Sequence, residues 1–246
     1  MEDFLYETHV ITLDAQGSRF QLFQRNNQHL NFEVYIGVRG TEVSLAERVY
    51  RRLMTPEAIA AKLATDGEVG CAASHKGLWE KAAASRNGLL ILEDDASTHP
   101  ELSAYIEKNC DRIAQSDIFL FCANTDSVLE VEQPSSLRQA CVFEPKHPDY
   151  EWIHNSLART DWRLVQNWKL INGFGLCCYF ITPKGAKKLL NLVFPLTVQK
   201  THVPAFNITV PGISVDKRLN ALYPEVDARI AIPFLAFSPN IDSATR

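Results

Sequence analysis

Leu89-Leu90-Ile91-Leu92 is an unbroken apolar run that ends without a spacer in three acids, Glu93-Asp94-Asp95. A strand with one face in water alternates apolar and polar residues, so an unbroken run predicts a central strand covered on both sides. Three adjacent carboxylates repel one another and resist desolvation, so a fold that places them at the mouth of such a strand must supply positive charge. A divalent cation would do so, and ligands of open α/β sheets collect beyond the carboxyl ends of strands. In the competing reading the triplet merely opens and caps the next loop, with its charges in water.

The rest of the chain reads as strands alternating with helices. His9 to Leu13 is a first buried strand, followed by a helix from Arg19 through Gln28, and Asn31 to Ile36 alternates with period two and ends at Arg39-Gly40. Residues 44–87 are helical, with a capping box at Ser44 and Glu47 and an N-cap at Thr55 before Pro56. The small residues of the helix 67–79 predict close packing against a neighbour, and Asn87-Gly88 ends the helical stretch. A helix follows from Pro100 to Gln115, then a buried strand from Asp117 to Cys122, a polar loop over 124–136, and a strand from Gln139 to Phe143. The stretch 145–172, rich in Trp, His and Asn, is expected to be mostly loop, with a weak helical signal in its second half. Gly175 to Ile181 reads as a strand, Thr182 caps a helix through Val193, and Pro195 to Pro211 reads as loop. Ser214 to Leu222 is a short helix, and Arg229 to Pro233 a last edge strand. This alternation predicts an α/β fold with a mostly parallel central sheet flanked by helices.

The length of 246 residues fits one catalytic domain and excludes two of ordinary size. Hydrophobic residues at 46% and charged residues at 22% place the chain among globular rather than disordered proteins. The formal charge of −4 recruits no polyanion, so stable nucleic-acid binding is not expected. Arg48, Arg51 and Arg52 cluster, as do Lys184, Lys187 and Lys188. Both clusters read as solvated helix faces, with a local basic groove as the alternative. The six cysteines are scattered without a C-x-x-C pair and read as buried free thiols. The opening MEDFLYETHV lacks the features of a signal peptide, and no apolar stretch has the length of a membrane span, so a cytoplasmic location is expected.

Hard cations such as Mn2+ and Mg2+ favour carboxylate oxygens and bridge one or two protein acids to substrate phosphates. A phosphatase of the haloacid dehalogenase type would carry a D-x-D after its first strand, whereas here that strand ends in a lone Asp14. Strand alternation places Glu93 and Asp95 on one side and Asp94 on the other. Cys71, His75 and Trp79 are spaced four apart and share a helix face, where His75 reads either as a satisfied core histidine or as a contact to substrate phosphates. Trp152, Trp162 and Trp168 read either as packing residues or as stacking platforms for a sugar or a base.

The segment Gly67-Glu68-Val69-Gly70-Cys71-Ala72-Ala73-Ser74-His75, followed by Leu78-Trp79 and later by Leu90-Ile91-Leu92-Glu93-Asp94-Asp95-Ala96, resembles the signature of glycosyltransferase family 25. Its best-known members are bacterial lipopolysaccharide galactosyltransferases. Val10 to Asp14 with Arg19, Gly175 to Leu190 and Val215-Asp216 resemble further family segments, so the likeness spans about 9 to 223, with little in 124–172. The resemblance implies a GT-A-like fold in a single domain, with 1–123 binding the nucleotide-sugar and 124–246 facing the acceptor. It also implies a UDP-sugar donor, Mn2+ or Mg2+, and transfer of a hexose, galactose first, with inversion to a glycan or glycolipid acceptor such as lipopolysaccharide. On this resemblance Thr12, Leu13, Arg19, Ser74, His75, Glu93 and Asp94 bind the donor, Asp95 and Glu93 hold the metal, and Asp216 is the base.

Thr12 stands where the family more often has serine or asparagine, and Cys177-Cys178-Tyr179 also departs from its usual pattern, which leaves the acceptor side open. A protein side chain or a modified nucleobase is the alternative acceptor, and a non-catalytic nucleotide-sugar binder or scaffold is the alternative of another class. Peripheral contact with the inner membrane is left open.

Overall fold

Leu89, Leu90, Ile91 and Leu92 have no exposed surface, and they feed two different cores: Leu89 and Ile91 pack into one, Leu90 and Leu92 into the other. The unbroken run is therefore the middle of a sheet covered on both faces. The computed structural model describes residues 5–144 and 146–240; the first four residues of the N-terminal motif, Pro145 and the last six residues lie outside them.

The strands are β1 (Tyr6–Thr12), β2 (Glu33–Ile36), β3 (Gly88–Glu93), β4 (Ser97–Thr98), β5 (Ile118–Leu120), β6 (Val128–Glu132) and β7 (Arg138–Val142). They continue with β8 (Gln166–Asn172), β9 (Cys178–Ile181), β10 (Gln199–Val203), β11 (Ile208–Gly212), β12 (Ala228–Ile232) and β13 (Ala236–Phe237). Nine of them form one sheet in the order β2-β1-β3-β9-β5-β12-β8-β6-β7, while β10 pairs with β11 and β4 with β13.

The sheet is mixed rather than mostly parallel. Among the described residues β1–β2, β1–β3 and β5–β12 are parallel, while β3–β9, β5–β9, β8–β12, β6–β8 and β6–β7 are antiparallel. A parallel pair needs a crossover of about a dozen residues, and residues 133–137 between β6 and β7 leave room only for a hairpin. The strand–helix alternation that suggests crossovers holds for β1, β2 and β3 and fails after β5.

Five further expectations change. The loop 124–136 contains β6, whose Leu129 and Val131 are buried. The stretch 145–172 contains a helix, Tyr150–Arg159, in its first half and strand β8 in its second. That helix starts where the Asp149 carboxylate accepts the Trp152 N–H at 2.8 Å, and it buries Ile153 and Leu157, an i, i+4 pair hidden among polar residues in the sequence. Residues 195–211 contain most of the β10–β11 hairpin. Strand β12 lies inside the sheet between β5 and β8; Pro233 falls just past its last paired residue, Ile232, so the missing N–H costs the ladder nothing. The helix expected from Pro100 to Gln115 is two, Leu102–Lys108 and Cys110–Gln115.

Other expectations hold. Ser44 and Glu47 form the capping box, Thr55 caps the helix Pro56–Ala61, and all six cysteines are free, although only Cys122, Cys177 and Cys178 are buried as expected. The lysine cluster is structural at Lys188, whose Nζ lies 3.1 Å from Asp117 Oδ2. Arg48 turns inward to Asp66 at 2.7 Å and to the Val43 carbonyl at 3.1 Å. No helix among the described residues is long and apolar enough to cross a membrane.

The small residues of the Asp66–Ala84 helix do pack closely, against the turn after β2. A Cβ on Gly70 would sit 2.4 Å from the Val38 carbonyl oxygen, and one on Gly40 would sit 1.8 Å from the Asp66 carbonyl oxygen. Ser74 Oγ accepts the Val38 N–H at 2.8 Å and donates to the Gly70 carbonyl at 2.7 Å, closing the same contact. Gly70→Ala must push turn and helix apart, and overpacking of this kind costs about 1–3 kcal/mol. A fall in the urea unfolding midpoint at unchanged m-value is the expected result.

Candidate active site

Strands β1 and β3 run parallel with Ile11 opposite Glu93, so the next residues, Thr12 and Asp94, emerge side by side at their carboxyl ends. Thr12 Oγ1 donates to Asp94 Oδ2 at 2.6 Å. The helix Ser18–Asn26 folds back over this end and brings Arg19, whose Nε lies 2.6 Å from Asp94 Oδ1 and whose Nη2 lies 3.2 Å from Asp95 Oδ2. One guanidinium thus spans two buried carboxylates. Part of the positive charge that the triplet demands comes from Arg19, where the sequence suggested a metal alone.

Burial still leads the electrostatics. Desolvation raises the Asp94 carboxyl above its ordinary range against the pull of Arg19. It raises Asp95 to about 6, helped by the negative charge of Glu93. Burial opposes the charge on Arg19, but Asp95, Asp94 and Glu93 together outweigh it and the guanidinium holds its proton more firmly than usual.

Glu93 has a separate support. Trp79 Nε1–H donates to the Tyr179 hydroxyl at 2.8 Å, and that hydroxyl lies 2.7 Å from His75 Nδ1. An indole only donates, so the Tyr179 oxygen accepts from it. A carboxylate only accepts, so His75 Nε2 carries a proton and donates to Glu93 Oε1 at 3.1 Å. Burial raises the Glu93 carboxyl, but the hydrogen bond and charge of His75 overcome it and bring it below its ordinary value. The sequence placed His75 and Trp79 on one helix face without revealing Tyr179, the partner that both share; an aromatic hydroxyl in an otherwise apolar strand was the only trace of it.

Two clefts meet at Glu93. The first, about 560 Å³, is lined by Thr12, Leu13, Arg19, Gly40, Gly70, Ser74, His75 and Asp94. The second, about 260 Å³, is lined by Glu68, Asp95, Asn124, Ser214, Asp216 and Lys217. Cys71 and Glu93 line both, Asp94 only the first and Asp95 only the second. Asp216 sits in the first turn of the helix Val215–Leu222 and accepts a hydrogen bond from Ser214 Oγ. Lys217 ties that helix to the Asp66–Ala84 helix through Glu68 at 3.3 Å. Glu68 and Lys217 were not among the residues singled out from sequence.

The donor set fits a hard divalent cation. Asp95 Oδ1 is buried and has no hydrogen-bond partner among the described residues, and it shares the second cleft with Glu93 and Asp216. Cys71, His75 and Glu93 also offer ligand atoms within 4.8 Å of one another, a softer set at the same place. A second group, Glu7, His9 and Glu33, is already held by the Lys81 ammonium, 2.7 Å from Glu7 and 2.8 Å from His9. The tryptophans stand apart: Trp152 packs edge-on to Phe237 at 5.3 Å, and Trp162 lies under Lys108 and Arg163.

The family model of glycosyltransferase family 25 (LPS biosynthesis protein) matches residues 6–203. The chain belongs to this family. The match takes in Thr12, Arg19, the helix bearing Ser74 and His75, the acidic triplet and Tyr179; Asp216 lies beyond its end. Membership of family 25 supports glycosyltransferase activity. No curated protein matches the chain. Among solved structures it is similar to A197 from STIV at 10% identity over 96% of this chain and 90% of that one, with a TM-score of 0.35, a likeness too slight to carry an argument.

Removing Arg19 leaves two buried carboxylates facing each other, so Arg19→Gln is expected to lose about 1–3 kcal/mol of unfolding free energy. Asp94→Asn added to it should recover part of the loss; a double-mutant cycle in urea that gives purely additive effects would contradict the pairing. Tyr179→Phe strands the Trp79 N–H and frees His75 Nδ1. It should cost about 1–3 kcal/mol and redistribute the His75 tautomers, read from ring 15N shifts.

Proposed function

We propose that the chain transfers a hexose, galactose first, from a UDP-sugar to a saccharide acceptor such as lipopolysaccharide, on a GT-A-like fold, with Mn2+ or Mg2+ and with inversion at the sugar carbon. The observation that carries this reading is the meeting of the two clefts at Glu93, with Asp216 lining the second. The larger cleft takes the nucleotide-sugar, laid along the backbone from Thr12 to Leu13. The smaller cleft takes the acceptor sugar.

Inversion needs the acceptor hydroxyl to attack from the side opposite the leaving group. With the donor in the first cleft and the acceptor in the second, the acceptor oxygen bonds to the anomeric carbon on the face opposite the diphosphate, which leaves with the electron pair of the bond that breaks. Asp216 takes the hydroxyl proton as that oxygen attacks, and Ser214 holds the carboxylate in place through its hydrogen bond. Arg19 keeps Asp94 and Asp95 ionised and fixed, while His75, braced by Tyr179, fixes Glu93. Bound at Asp95 and Glu93, the cation would neutralise charge developing on the departing diphosphate.

A thermal-shift panel of UDP-sugars with Mn2+ or Mg2+, against the same panel with EDTA, tests the donor half of the reading. A metal-dependent rise in melting temperature with UDP-galactose is expected, together with slow release of UDP without acceptor. No metal-dependent binding of any UDP-sugar would overturn it. Asp216→Asn is expected to keep donor binding and to lose roughly 10²–10⁴-fold in turnover, the usual worth of a general base.

A further inference from the structure

The arginines at 48, 51 and 52 divide in the structure. Arg48 is an internal staple, whereas Arg51 and Arg52 face a cavity of about 600 Å³ on the other side of the Asp66–Ala84 helix from the first cleft. Lys76, Tyr35, Tyr50 and Phe194 also line it. Glu80 pairs with Lys76 and Glu47 with Arg51, at 2.8 Å in the second case, while Arg52 has no ion-pair or hydrogen-bond partner among the described residues.

The helix beside this cavity, Leu45–Tyr50, buries none of its residues. Leu45 is 60% exposed, Val49 42% and Tyr50 87%, and Leu45 and Val49 are four apart on one face. Apolar side chains held in water beside guanidinium groups match an interface whose outer layer is anionic and whose interior is hydrocarbon. Tyr50 suits the boundary between them, with a phenol that is apolar in body and polar at its tip.

We infer that the Leu45–Arg52 segment and its cavity form a docking site for an anionic lipid surface, in which Arg51 and Arg52 meet headgroup phosphates and Leu45, Val49 and Tyr50 enter the interfacial layer. Binding is reversible, because the segment supplies one cation without an ion-pair partner, Arg52, a second, Arg51, shared with Glu47, and three apolar side chains, far less than an anchor needs. None of these residues lines either cleft of the active site, so docking and sugar transfer stand or fall separately.

Co-sedimentation of the full chain with phosphatidylglycerol–phosphatidylcholine vesicles, set against pure phosphatidylcholine vesicles, tests the site. Binding to the anionic vesicles alone, weakening as salt rises, is expected. Arg51→Gln with Arg52→Gln should lower the partition coefficient roughly tenfold. Leu45→Ser with Val49→Ser should lower it again, and both double variants should melt like the parent and release UDP at its rate. Equal binding to neutral vesicles, no binding to either, unchanged partition in the arginine variant, or full displacement by soluble glycerol 1-phosphate would each overturn the inference.

Discussion

Asp94 and Asp95 are adjacent carboxylates buried at the end of a strand that is itself fully buried, and Arg19 is the cation that makes the arrangement tenable. Buried like charges ordinarily neutralise by taking up protons, and the upward pull of burial on both acids marks that tendency. The guanidinium opposes it with a planar group that reaches both carboxylates at once, which an ammonium on a flexible stem would not do in the same way. The position of Arg19 depends on the helix Ser18–Asn26 returning over β1, and that return depends on the parallel pairing of β1 with β3. The acids, their counter-charge and the mouth of the sheet form one electrostatic unit.

Glu93 belongs to a second unit, built on hydrogen-bond direction rather than on opposite charge. Trp79 donates to Tyr179 and His75 donates to the carboxylate, because an indole has nothing to accept with and a carboxylate nothing to donate, and the Tyr179–His75 bond joins the two ends. Trp79, Tyr179 and His75 are all buried, so the chain both removes unpaired polar atoms from the core and fixes the orientation of one acid. Asp95 is held differently: one oxygen faces Arg19 and the other has no hydrogen-bond partner among the described residues. Two residues apart in sequence, the two acids are held by different means.

Sequence made the parallel half of the sheet legible because its signals are local. An unbroken apolar run, a capping box and a glycine-rich helix each act within a few residues, and β1, β3 and the Asp66–Ala84 helix lie where those signals put them. The capping of Ser44 and Thr55 was legible for the same reason. What escaped was set by long-range pairing. Strand β6 looks like loop until Leu129 and Val131 meet the core, β8 is polar over its first half, and β12 reads as an edge because Pro233 stands beside it. The Tyr179–His75 bond joins residues 104 apart and leaves no mark on either local pattern. The family likeness carried Arg19 and the triplet to the same place, but not the geometry by which Arg19 takes part of the charge first assigned to a metal.

The direction of β9 matters most for the site. Running antiparallel to β3, it brings its own beginning beside the end of the acidic strand, where the Glu93 N–H bonds the Cys177 carbonyl at 2.9 Å. Gly175, Leu176 and Cys177 then form a wall of the second cleft, and Gly175, at φ +96°, turns the chain where a Cβ would strike the Asn124 side chain. Two residues into the strand, the same direction sets Tyr179 under His75. A parallel strand in this slot would place its far end beside Glu93 and carry the loop before it to the opposite edge of the sheet. The mixed sheet, which departs from the simple α/β expectation, therefore gives the acids a second cleft as well as a first, and Glu93 stands where the two meet.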